Sequence, residues 1–91
     1  MASEKILVVD DEKRVRETFN MFFTEYRIVT AANAQKALNI LKRPNDIDIV
    51  ILDVVMPGLK GTHIISEIKR LNPGCGIIML TGYSTKEIAI E

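Results

Sequence analysis

Four short runs of apolar, mostly β-branched residues, each followed by a stretch of helical periodicity, constrain this chain more than any other feature. Ile6-Leu7-Val8-Val9 is apolar without a break, the pattern of a strand buried on both faces. Behind it Val15, Phe19, Phe22, Phe23 and Tyr26 recur at helical spacing among Lys13, Arg14, Arg16, Glu17 and Asn20, with Asp11 as the predicted cap. Residues 28–31 read as a second strand. Ala34, Ala37, Leu38 and Leu41 mark a second helix, capped by Asn33 and ended by Pro44. Residues 47–52 form a third strand, and Ile64, Ile65, Ile68 and Leu71 a third helix closed by Asn72-Pro73-Gly74. Residues 77–80 are a fourth strand. Ser84 and Glu87 stand at capping-box spacing, so Ile88, Ala89 and Ile90 open a predicted fourth helix.

Strands and helices that alternate with connections of a few residues imply one parallel sheet with right-handed crossovers and helices on both faces. Such sheets carry their functional groups at the carboxyl ends of the strands. Here those ends hold Asp10 and Asp11, Asp53, and Thr81. Three converging carboxylates repel one another unless a cation neutralises them. Hard oxygen donors with no histidine or thiolate beside them favour Mg²⁺ over zinc. A carboxylate beside Mg²⁺ also serves as a nucleophile toward a phosphoryl group, with a hydroxyl such as Thr81 placed to hydrogen-bond a transferred oxygen. Taken singly, each of these residues is ordinary: an aspartate after a strand is usually a turn or cap residue, and a threonine is common in strands. Only the constellation is specific.

Ile6-Leu7-Val8-Val9-Asp10-Asp11-Glu12, with Arg16 four residues on, resembles the opening of a response-regulator receiver domain. Ile51-Leu52-Asp53-Val54-Val55-Met56-Pro57-Gly58, followed by Gly61, resembles that family's phosphoacceptor segment. Met79-Leu80-Thr81-Gly82-Tyr83 resembles its switch-threonine segment in the nitrogen-regulator form. The resemblance covers essentially the whole chain, read as one receiver domain over residues 1–91. It implies a flavodoxin-like, three-layer, doubly wound sheet with Asp53 as phosphoacceptor. It further implies Mg²⁺ held directly by Asp11, Asp53 and the carbonyl of Val55, and through a water by Asp10. Thr81 would bind a phosphoryl oxygen and shift inward, and Met56-Pro57-Gly58 would shape the loop over the site. The implied donor is a phosphohistidine on a sensor histidine kinase, or a small acyl phosphate. Val55 and Tyr83, apolar and bulky beside the site, favour slow hydrolysis of the aspartyl phosphate.

The family resembled has five strands and five helices in about 120 residues. With 91 residues, four of the five strands are expected here, and the family's fifth-strand lysine is not among Lys5, Lys13, Lys36, Lys42, Lys60, Lys69 and Lys86. In the family's strand order, 2-1-3-4-5, the fourth strand would then be an exposed apolar edge, and part of the first helix would lose its cover. The expectation is a fragment, or a chain that self-associates through its fourth strand and helix. The alternative function is a truncated receiver that does not turn over phosphate and serves as a dimerisation or interaction module. A phosphohydrolase is a third reading, weakened because Val55 stands where such enzymes carry a second acid.

Composition narrows the partners. Twelve Lys and Arg against twelve Asp and Glu leave no net charge, which argues against direct nucleic-acid contact through a broad basic face. No apolar run approaches the roughly 20 residues of a membrane span. The single cysteine, Cys75, and the lack of a signal-like opening suit a cytoplasmic chain. Cys75 is expected to be incidental, with no basic neighbour to activate it. His63 is expected on the surface, the Lys13-Arg14-Arg16 cluster on a solvated helix face, and the three phenylalanines in the core.

Overall fold

The computed structural model describes residues 3–53, 61–80 and 88–90. Four parallel strands, β1 (Lys5–Val9), β2 (Arg27–Ala31), β3 (Ile49–Asp53) and β4 (Gly76–Leu80), alternate with three helices, α1 (Lys13–Phe22), α2 (Ala34–Lys42) and α3 (Gly61–Leu71). A short fifth strand, β5 (Ile88–Ile90), completes a single sheet in the order β2-β1-β3-β4-β5. The fold is the expected flavodoxin-like one, with the order reversing at β1 so that β1 and β3 lie side by side in the middle.

The predicted fourth helix is corrected at its end. Residues 88–90 pair antiparallel with β4, Leu80 opposite Ile88 and Ile78 opposite Ile90. Two β-branched isoleucines in three residues suit a strand, and the open edge of β4 offers unpaired backbone groups to receive them. The edge expected to lie bare is therefore covered by the chain itself over residues 78–80. Ser84 and Glu87 lie outside the described residues.

The two faces of the sheet are closed to different degrees. Leu7, Val9, Val50, Leu52 and Ile77 point to the face covered by α2 and α3, where they meet Ala37, Leu41, Ile64 and Ile68 in the main core. Full burial of such side chains contributes on the order of 1.5–3 kcal/mol each. The opposite face carries a smaller cluster, Ile6, Val8 and Ile51, against Phe19 of α1 with Tyr26, Ile28, Ile78 and Leu80 only partly covered. No residue of α1 is fully buried, and the helix stops at Phe22 instead of running on toward Tyr26. The phenylalanines thus divide. Phe19 packs partly buried against the smaller cluster and stacks on Phe23 at 5.0 Å between ring centroids, but Phe23 is itself 39% exposed and Phe22 70% exposed, so neither Phe22 nor Phe23 is core.

Two asparagines fix the ends of α2. Asn33 caps α2 as expected, its side chain accepting from the Lys36 N–H at 2.8 Å. Asn45 ties the other end of α2 to its neighbours: its amide donates to the carbonyls of Leu41 and Arg43, while its oxygen accepts from the Ile47 N–H and from Asn72. That network fixes where β3 begins, and therefore where its last residue, Asp53, arrives.

Candidate metal and phosphoacceptor site

The register of the two central strands builds the site. Val9 pairs with Leu52, so the next residue on each strand, Asp10 and Asp53, emerges at the same level at the carboxyl end of the sheet. Asp11 follows in the turn to α1. One carboxylate oxygen from each of Asp10, Asp11 and Asp53 lies within 4.8 Å of the others. Asp10 is buried at 4% exposure, Asp53 is half-buried and Asp11 is exposed. The cluster thus grades from the protein interior to solvent.

Local hydrogen bonds hold the first of these residues in place. The Asp10 N–H donates to the carbonyl of Ala31 at 3.1 Å, extending the pairing of β1 with β2. Its carboxylate Oδ1 accepts from the Glu12 N–H at 2.9 Å. Asp10, not Asp11, thereby satisfies a backbone donor at the start of α1, where Glu12 is the cap residue and its own side chain makes no capping bond. The predicted capping role of Asp11 is corrected: the residue is left facing solvent. Arg16 closes the arrangement from the next turn of α1, its Nη1 donating to the Asp10 carbonyl at 2.8 Å. Lys13 and Arg14 remain on the solvated face as expected, but Arg16 is half-buried and braces the site. Only its place in the opening motif hinted at this.

Burial pushes the Asp10 carboxyl above its ordinary pKa; the Glu12 N–H opposes this, and the charges of Asp53, Asp11 and Glu12 add to it. A cation among the three oxygens would relieve both the burial and the repulsion. The donor set is oxygen throughout, which fits a hard cation such as Mg²⁺.

Two of the residues expected to complete the site, Thr81 and Val55, lie outside the described residues, as do Tyr83 and Met56-Pro57-Gly58. Leu80, the residue before Thr81, pairs with Asp53 across β3 and β4. His63 is exposed on α3. Cys75 departs from expectation in its surroundings: it is buried, and Lys69 donates from Nζ to its carbonyl at 2.6 Å. Burial pushes the thiol pKa up, with the Lys69 charge working against it.

The model of the response regulator receiver domain matches residues 6–91. The chain belongs to that family. Sporulation initiation phosphotransferase F of Bacillus subtilis is 33% identical over 93 residues, spanning 100% of this chain and 74% of its own length. A cyclic di-GMP phosphodiesterase of Thermotoga maritima is 28% identical over 91% of this chain, which spans only 22% of that protein. Among solved structures, the response regulator TrrA of Thermotoga maritima in complex with Mg(2+)-BeF is 42% identical, with a TM-score of 0.76 over 89% of this chain and 71% of its own. The same regulator has been solved in complex with the histidine kinase ThkA. This receiver is thus the signalling domain of a two-component response regulator. Among the described residues no helix is long and apolar enough to cross a membrane.

Proposed function

We propose that this receiver accepts a phosphoryl group on Asp53 from the phosphohistidine of a sensor kinase, in a Mg²⁺-dependent reaction. The observation that carries the reading is the convergence of the three aspartate oxygens within 4.8 Å at the carboxyl ends of β1 and β3. A carboxylate oxygen of Asp53 forms the new P–O bond as the P–N bond of the donor breaks, leaving an aspartyl phosphate and a free histidine. Mg²⁺, when bound, supplies positive charge against the phosphoryl oxygens. Asp10 and Asp11 would hold it with Asp53, and the carbonyl of Val55 is proposed as a further ligand. Arg16 acts at one remove, by fixing the backbone that carries Asp10. Thr81 is proposed to bind a phosphoryl oxygen and pass the change on to an output. The complex of TrrA with ThkA supports a kinase as the partner, and the exposed Met21 and Phe22 offer an apolar surface on α1 for it.

The test is incubation with Mg²⁺ and a small acyl phosphate, followed by mass spectrometry. We expect one hydroxylamine-labile phosphoryl group, absent in Asp53→Asn and absent without divalent cation. Intact Mg²⁺ binding with no labelling would replace this reading by that of an interaction module. Steady release of phosphate without accumulation would point to a hydrolase instead.

A further inference from the structure

Away from the acidic end, α2 and the edge strand β2 enclose a groove of about 470 Å³. Its apolar floor includes Val29, Ile40 and Ile47, of which Val29 and Ile40 are only partly buried at the margin of the main core. Lys36 and Arg43 stand along it on the α2 side. They are seven residues apart, about 10 Å along a helix, and both are exposed. Among the described residues neither side chain makes an ion pair or a hydrogen bond. The nearby acid Asp46 is already engaged, by Lys5 at 3.0 Å and by Arg27 at 2.9 Å.

The strand beside the groove is open. Among the described residues β2 ends the sheet and pairs with β1 alone. The Arg27 N–H donates to Glu4 and the Ala31 carbonyl accepts from Asp10, so residues 27, 29 and 31 turn their backbone groups inward to β1. By the alternation of a strand, Ile28 and Thr30 turn theirs outward. A strand laid on that edge would gain backbone hydrogen bonds at two positions. On its α2 side it would present every second side chain to the cations and to the apolar floor between them. Same-face residues in a strand recur at about 6.6 Å, so the first and third stand about 13 Å apart, a span that the long side chains of Lys36 and Arg43 meet by splaying outward while the middle residue covers Ile40.

We propose that this groove takes an extended peptide with an acidic–apolar–acidic pattern at alternate positions, added as a strand to the free edge of β2. The occupant is chosen by charge: the positive rim repels a second copy of the same edge, whereas an acidic segment supplies the missing counter-charges. A small anion would use the cations but leave the backbone groups of Ile28 and Thr30 unpaired. The site is separate from the aspartate cluster and does not depend on phosphorylation.

The test uses the 91-residue chain and a fluorescein-labelled peptide, Thr-Glu-Thr-Val-Thr-Glu-Thr, read by anisotropy. We expect it to bind about tenfold or more tighter than its Lys-for-Glu counterpart. The double variant Lys36→Glu with Arg43→Glu, both at exposed positions, should reverse that preference while keeping the circular dichroism spectrum. Two further peptides, N-methylated on the odd or on the even residues, distinguish strand addition from charge alone. One of the two should lose about tenfold or more, and the other little, because only alternate amides face β2. Equal affinity for the two methylated peptides, equal affinity for Glu and Lys peptides, or no binding at millimolar peptide would overturn the proposal.

Discussion

The two ends of the sheet handle charge in opposite ways. At the amino end, Asp46 sits between Lys5 and Arg27, both in ion-pair contact, and its carboxyl is held down at about 2, first by the Lys5 hydrogen bond and then by that of Arg27. Asp48 is likewise used, accepting from the Lys5 N–H at 2.9 Å. At the carboxyl end, Asp10, Asp11 and Asp53 crowd within 4.8 Å, and the buried Asp10 is pushed up instead of down. The same side chain is thus a fastening at one end and a source of repulsion at the other. Repulsion of this kind marks the acidic end as the candidate functional one, because a bound cation would relieve it.

The contrast is open to direct attack, most strongly by adding the cation. At a hundred times its dissociation constant, Mg²⁺ should stabilise the chain by about 2.7 kcal/mol, read as a rise in Tm. A chain indifferent to Mg²⁺ would show that the acidic end is not a cation site. Next comes Asp10→Asn without divalent cation, which should raise Tm by a few degrees and abolish the response to Mg²⁺. Asparagine keeps an oxygen to accept from Glu12 while removing the buried charge. A raised carboxyl favours the protonated form in the fold, so its contribution is present below the ordinary carboxylate range and lost as pH rises through the raised value. The pH profiles of wild type and Asp10→Asn should therefore diverge on the alkaline side of that range; parallel profiles would show that the buried charge does not strain the fold. The smallest effect is expected at the other end. Asp46→Asn should lower Tm slightly at neutral pH, because a depressed carboxyl stabilises the fold above its ordinary value of 3.8. That difference should vanish as pH falls through about 2 and shrink in high salt, since the group is exposed.

Much of this was legible beforehand because it depended on local pattern. Unbroken apolar runs announce strands buried on both faces, and the oxygen-bearing residues that end them announce the edge where chemistry gathers. Asn33 was readable as a cap because its role needs only the next three residues. The misreadings share a different character. Phe22 follows the helical spacing of Phe19, yet whether it is covered depends on what packs against that flank of α1, which spacing alone does not encode. Asp11 reads as the cap of α1 because it adjoins the helix, but the backbone turn brings Asp10 to the Glu12 N–H instead. Ile88–Ile90 carries the start of a helical pattern and is drawn into a strand by the edge of β4.

By itself, then, the order of residues determined the parallel α/β architecture, the presence of helices on both faces of one sheet, and the three aspartates worth watching. Those rest on periodicity and on what stops it, both properties of neighbouring residues. The tertiary structure decided which aspartate is buried, which arginine braces it, and how β4 is finished at its edge. It also decided that Lys36 and Arg43 flank a groove beside an open strand. Each of these turns on groups far apart in the chain meeting at a distance of a few ångströms, where burial and charge act most strongly and where no local pattern reaches.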